Sequence, residues 1–132
     1  MAKKITKVAS IIVANEVRTG ATKAKPQGYP IEPGLAKAWI NFNGTGTIAI
    51  RDSFNVSGIV DNGTGHYTIT LDTDFTSADY SAQASIRNTV SSDYASLAQE
   101  GQTSGALHVR SFQSNGGFVD VNLVSVVAFG DQ

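Results

Sequence analysis

Ala36-Lys37-Ala38-Trp39-Ile40-Asn41-Phe42-Asn43-Gly44-Thr45-Gly46-Thr47-Ile48-Ala49-Ile50-Arg51 is the stretch from which the fold can be read. Ala38, Ile40 and Phe42 alternate with Lys37, Asn41 and Asn43, and Ile48 and Ile50 alternate with Thr47 and Arg51. A period of two puts apolar side chains on one face of a strand and polar ones on the other, which is the pattern of antiparallel strands with one buried face. The intervening Asn43-Gly44 pair suits the positive φ of a tight hairpin turn. Trp39 departs from the alternation: it falls on the outward side, between Lys37 and Asn41.

The same pattern continues downstream. Tyr67, Ile69 and Leu71 alternate with Thr68, Thr70 and Asp72. Tyr80, Ala82, Ala84 and Ile86 alternate with Ser81, Gln83, Ser85 and Arg87, and Leu107 and Val109 flank His108. Val119, Val121 and Leu123 form a last alternating run, whose phase slips over Val124-Ser125-Val126-Val127 as at a bulge. Asn62-Gly63 and Asn115-Gly116 supply further turn signals. About six or seven short strands are expected, with a short helix near Tyr94 to Gln99. The fold class is all-β, an antiparallel β-sandwich or flattened barrel with a short N-terminal extension.

Upstream, Lys25 to Gly34 contains all 3 prolines of the chain, Pro26, Pro30 and Pro33. Proline lacks an amide donor and restricts the residue before it, so this is an extended connector. It divides a leader and connector, residues 1–35, from a β-domain, residues 36–132. The leader is ambiguous: Ile5, Val8 and Ile12 have helical spacing, while Ile11-Ile12-Val13 is β-branched and favours a strand. Its Lys3, Lys4, Lys7, Arg18, Lys23 and Lys25 against Glu16 read as a solvated basic tail and not as a nucleic-acid site, in a chain of net charge −1.

The 132 residues suffice for one core. Absence of cysteine excludes disulfides, thiolate metal sites and a cysteine nucleophile. No apolar run reaches the length of a membrane-spanning helix, and no secretory signal is recognised, so neither membrane insertion nor secretion is expected.

Catalytic patterns weigh little against bland readings. Gly44-Thr45-Gly46-Thr47-Ile48-Ala49 fits a loose dinucleotide-binding pattern, but its glycines open a strand where that chemistry needs a helix N-terminus. Asp52, Asp61, Asp72, Asp74 and Asp79 raise the question of a glycosidase-like carboxylate pair. Each sits at a strand end or beside a turn residue, where aspartate serves the backbone. His66 and His108, the 2 histidines, make no metal site in one chain, although a threefold axis would gather copies of either. No Ser/His/Asp triad stands out. The sequons at Asn43, Asn55 and Asn62 read as turns. Catalytic, cofactor-binding and metal residues are therefore expected to be absent. The residues that ask for a partner are Trp39, Val126 and Val127. Trp39 opposes Ile40 and the two valines are consecutive, so apolar side chains point both ways and mark interface candidates.

The ordered run from Ala36 to Ile69 has a Lys37-Ala38-Trp39 strand and an Asn41-Phe42-Asn43-Gly44-Thr45-Gly46 turn. An Ile50-Arg51 strand, an Asn55-Val56-Ser57 connection and an Asp61-Asn62-Gly63-Thr64-Gly65 hairpin follow, feeding Tyr67-Thr68. It closely resembles a module of tail-fibre and other virion structural proteins of tailed bacteriophages. The ending Val124-Ser125-Val126-Val127-Ala128-Phe129-Gly130-Asp131-Gln132 resembles that module's C-terminus. His66 stands where the module commonly has an acidic residue, and Asp79 to Gly117 matches no motif of it. The resemblance implies a virion structural protein, a tail fibre or receptor-binding tip that attaches to a host surface glycan or protein. It also implies a homotrimer without cofactor, assembled in the bacterial cytoplasm and joined to other virion proteins through residues 1–35. A capsid decoration or head-fibre protein with an assembly role is the alternative, and an enzyme is the third reading.

Overall fold

The structure, a computed structural model, describes residues 34–87, 93–94 and 101–132. The leader, with its undecided helix or strand over residues 5–17, and the attachment role read for residues 1–35 lie outside the described residues up to residue 33. In chain order the strands are β1 (Ala38–Asn43), β2 (Ala49–Phe54), β3 (Val56–Gly63), β4 (His66–Leu71), β5 (Ser81–Ile86), β6 (Asp93–Tyr94), β7 (Ala106–Arg110), β8 (Phe112–Gln113) and β9 (Val124–Phe129). Every named element among the described residues is a strand.

The order β2-β1-β9-β5 makes a 4-stranded sheet, β3-β4-β7 a 3-stranded sheet and β6-β8 a 2-stranded ribbon. All pairings are antiparallel. The two larger sheets share one core and do not close on each other, so the architecture is an antiparallel all-β sandwich. Alternation explains the packing. Ala38, Ile40 and Phe42 of β1 and Val124, Val126 and Ala128 of β9 face Tyr67, Ile69 and Leu71 of β4 and Leu107 and Val109 of β7. Phe42 meets Tyr67 edge to face across the core, with ring centroids 5.1 Å apart. Ala82, Ala84 and Ile86 line the flank of the same core.

The chain crosses between sheets from β2 to β3 through Asn55 alone, whose φ is 56°. Its side chain holds the corner. Nδ2 donates to the carbonyls of Lys37 and Thr73, each at 3.0 Å, and Oδ1 accepts from the Thr73 amide at 2.6 Å. At the opposite edge, buried Tyr80 donates to the Ala106 carbonyl at 3.1 Å and stacks on Phe75, tying the start of β5 to the start of β7.

Several sequence expectations need correction. Val119 to Leu123 is not a strand: its backbone bonds go to scattered partners, Gly44 to Val121, Val119 to Ser111 and Arg87 to Leu123. This irregular segment absorbs the phase change, so β9 itself runs in unbroken register with β1 and β5 and has no bulge. The register shifts fall instead between Asn41 and Phe42 opposite β2, and within β3. Ile50 lies on the mostly exposed edge strand β2 and not in the core. β3 was expected only as a connection and hairpin; its bulge between Val56 and Gly58 breaks the period-two pattern by which strands are read. Tyr94 is extended, pairing with Phe112, where a helix was expected; residues 95–99 lie outside the described residues. Of the Asn-Gly pairs, Asn115-Gly116 forms a turn with Gly116 at φ 84°, Asn62-Gly63 precedes its turn at Thr64-Gly65, and Asn43-Gly44 does not supply the expected positive φ, which falls on Gly46 at 61° in the longer loop to β2.

Candidate functional site

The outward face of the 4-stranded sheet carries an apolar row. Trp39 on β1 stands directly between Phe54 on β2 and Val127 on β9, and Gln83 on β5 continues the row. Trp39 is 36% and Phe54 54% exposed. The neighbouring row, Asp52, Asn41, Ser125 and Ser85, is polar, with Asn41 Nδ2 donating to Ser125 Oγ at 2.8 Å. Two of the three expected interface residues, Trp39 and Val127, are thus brought side by side. Val126 points the other way, is 5% exposed and belongs to the core, because consecutive residues of a strand face opposite sides. Phe54 was not singled out in the sequence. Its only signal is an aromatic at the end of a strand whose other members are polar or edge-exposed.

The outward face of the 3-stranded sheet is of a different kind. Cross-strand pairs place His66 beside Arg110, Thr68 beside His108 and Thr70 beside Ala106, with Val60 of β3 opposite Thr68. Asn62 Nδ2 donates to Thr68 Oγ1 at 2.7 Å, and Thr68 Oγ1 lies 3.4 Å from His108 Nδ1. Phe118 arrives from the loop after β8. Its ring meets that of His66 at 4.1 Å and 87°, lies 4.9 Å from that of Phe112, and has the Arg110 guanidinium carbon 5.8 Å from its centroid. Phe118 remains 42% exposed, while His66 Nε2 is covered without a hydrogen-bond partner.

A polar latch closes one end of the sandwich. The Tyr67 hydroxyl lies 2.9 Å from Asp120 Oδ1 and 3.1 Å from the Gly44 carbonyl, and the Gly65 amide donates to the same carboxylate oxygen at 2.7 Å. Burial, and then the bond to Asp120, pushes the Tyr67 phenol well above its usual range. Asp120 therefore holds the irregular segment against β4, and its surroundings are those of a structural acceptor.

The remaining sequence candidates are dispersed. Asp52 and Asp61 accept from the nearby amides of Ser53 and Gly63. Asp61 pairs with Tyr67 near one end of β4, while Asp72 follows its other end. The glycines of Gly44-Thr45-Gly46 lie in the loop between β1 and β2, where Asn43 Oδ1 accepts from the Thr45 amide and hydroxyl. Among the described residues no group of three or more His, Cys, Asp and Glu side chains is placed to hold a metal, and no helix is long and apolar enough to cross a membrane.

The fold and these faces define an antiparallel β-sandwich with one apolar and one aromatic, nitrogen-rich outer surface. Comparison with protein-family models, with curated proteins and with solved structures gives no match to the chain.

Proposed function

We propose that the chain is a structural protein of a tailed-phage virion, a tail fibre or receptor-binding tip that contributes to attachment to the host surface. It acts by assembly and binding, without chemistry and without a cofactor, in particles assembled in the bacterial cytoplasm. The observation that carries this reading is where the resembling segments lie in the fold. Residues 36–69 and 124–132 supply β1 to β4 up to Ile69, and β9, and so the inner strands of both larger sheets. The unmatched stretch supplies β5 and β7, which together form one lateral edge, and the β6-β8 ribbon. A frame built from the resembling segments, with an unmatched flank beside it, is the arrangement that suits a receptor-reading tip, since binding residues concentrate where a rigid scaffold tolerates change.

The Trp39 row supports a homo-oligomer, a trimer in the resembling module. From the fractional exposures, Trp39 and Phe54 leave roughly 200 Å2 of mostly apolar surface open. At about 25 cal/mol per Å2, covering it contributes ~5 kcal/mol per subunit before association costs.

Immunogold labelling of intact particles with antibodies to the full chain tests the reading. Label at the tail tips, with antibody blocking adsorption to cells, is the expected result. Label on the capsid with adsorption untouched would replace it with a decoration or head-fibre role.

A further inference from the structure

An asparagine followed by glycine is prone to close a ring on its own main chain, because glycine has no side chain to hinder the approach of its amide nitrogen to the asparagine Cγ. The chain has three such pairs, at Asn43, Asn62 and Asn115. The fold holds them in three different ways. At Asn43-Gly44 the reacting nitrogen is buried and donates to the Val121 carbonyl at 2.9 Å, across to a segment distant in sequence. The Asn43 side chain is engaged as well: Nδ2 donates to the Thr45 carbonyl and Oδ1 accepts from the Thr45 hydroxyl, each at 2.8 Å.

Asn62-Gly63 is exposed but lies in β3, between the pairing of Asp61 with Tyr67 and that of Gly63 with His66. The Gly63 amide donates to the Asp61 carboxylate at 2.9 Å, and a negative neighbour disfavours loss of the amide proton. Asn62 Nδ2 donates to Thr68 Oγ1 at 2.7 Å. Asn115-Gly116 is exposed at the tip of the hairpin that follows β8. Its bonds are local: the Gly116 amide donates to the Gln113 carbonyl and the Gly117 amide to Asn115 Oδ1, each at 2.9 Å. Such a tip can open without breaking a pairing of either larger sheet.

We propose that Asn115 is a site of spontaneous deamidation and isoaspartate formation. The Gly116 nitrogen gives its proton to hydroxide and attacks Asn115 Cγ. Nδ2 leaves as ammonia, taking a proton from water, and a succinimide closes. Water then opens the ring at either carbonyl, giving aspartate or isoaspartate, so the net reaction consumes water and releases ammonia. Both products put a negative charge on the tip. Isoaspartate also adds a methylene to the main chain between Gln113 and Gly117, which are joined by a 2.7 Å bond from the Gln113 amide to the Gly117 carbonyl. The bridge between Phe112 and Phe118 lies just beyond, so the change reaches the Phe118 ring where it meets His66. The inference is independent of the attachment reading.

The test incubates the full chain at neutral and mildly alkaline pH, both folded and in guanidinium. Digestion and mass spectrometry with electron-transfer fragmentation then locate each deamidated asparagine and separate isoaspartate from aspartate. In the folded chain Asn115 should react about tenfold or more faster than Asn43 and Asn62, which must first break a long-range or carboxylate hydrogen bond. In guanidinium the three rates should converge. Asn115→Gln should remove the early product. The Phe118 ring resonances should move in aged protein carrying isoaspartate and stay in place in Asn115→Asp, which has the charge without the added methylene. The proposal is overturned if Asn115 reacts no faster than the other two in the folded chain. A lead that persists in guanidinium overturns it too, because the preference would then belong to the sequence and not to the fold. Phe118 resonances unmoved by isoaspartate would overturn the link to the aromatic cluster.

Discussion

Gly44 lies in the loop leaving β1, with its amide donating to the Val121 carbonyl at 2.9 Å and its carbonyl 3.1 Å from the Tyr67 hydroxyl. A Cβ at this position would stand 2.4 Å from the Tyr67 hydroxyl oxygen, 2.7 Å from Cζ and 3.0 Å from the Val121 carbonyl oxygen. Gly44 is not among the residues of positive φ, so the objection to a side chain is steric alone. Tyr67 is 1% exposed and cannot yield without straining the core and leaving Asp120 without its phenol. Overpacking costs ~1–3 kcal/mol, and losing a hydrogen bond to a carboxylate costs ~1.5–3 kcal/mol. Gly44→Ala should therefore destabilise by ~3–5 kcal/mol, a fall in Tm of about 15–30 °C for a domain of this size. Calorimetric melts of Gly44→Ala, Tyr67→Phe and the double variant measure the contact itself. Tyr67→Phe removes the nearest atom of the clash, so the double variant should be more stable than the sum of the singles implies, by ~1–3 kcal/mol. A Gly44→Ala melt within about 2 °C of the parent, or single effects that simply add, would refute the reasoning.

Phe42→Ala empties the centre of the sandwich and should cost ~3–5 kcal/mol, measured by denaturant unfolding; a loss under about 1 kcal/mol would show that the core closes over the gap. Burial pushes the Tyr80 phenol up to about 12 and raises that of Tyr67 further, so both keep their protons in the fold at a pH where the unfolded chain has released them. Stability should accordingly be whole below pH ~10 and fall as pH rises from there towards about 12, and melts that stay level across that window would contradict it. Val127→Asp sets a carboxylate beside Trp39 in the outward row and should shift the sedimenting species towards the 13.9 kDa chain, whereas an unchanged assembly would place the interface elsewhere. A chain starting at Gly34 should keep β-type circular dichroism and a cooperative melt, since residues 38–128 already pair into both larger sheets around a shared core; loss of folding would make the leader part of the core.

What was legible in the sequence was the part governed by alternation. Ala38, Ile40 and Phe42, then Tyr67, Ile69 and Leu71, then Leu107 and Val109 declare their inward faces locally, and the core is built from them. Where the backbone departs from regular pairing the pattern is lost: the bulge in β3 scatters Val56, Ile59 and Val60, and the irregular run before β9 imitates a strand while bonding to three different segments. Trp39 could be placed outward from its phase, and Val127 beside Val126 shows that one of the pair must be outward. Choosing between the valines needs the register with β1. The Phe118 cluster could not be read at all, because His66, Arg110 and Phe118 come from separate strands and a loop and meet only through cross-strand pairing.

The position of β9 also governs the order in which this protein can be made. It follows all the other described strands, yet it lies between β1 and β5, and the bond from Asn41 to Ser125 spans 84 residues. As the chain leaves the ribosome, β1 and β5 therefore wait, each with an open edge, until β9 emerges to join them. Contacts so distant in sequence close slowly, and exposed edges recruit one another in the meantime. Crowded synthesis should make the chain that still lacks β9 the species most prone to aggregate, and pairing of β9 with β1 and β5 the event that ends the risk.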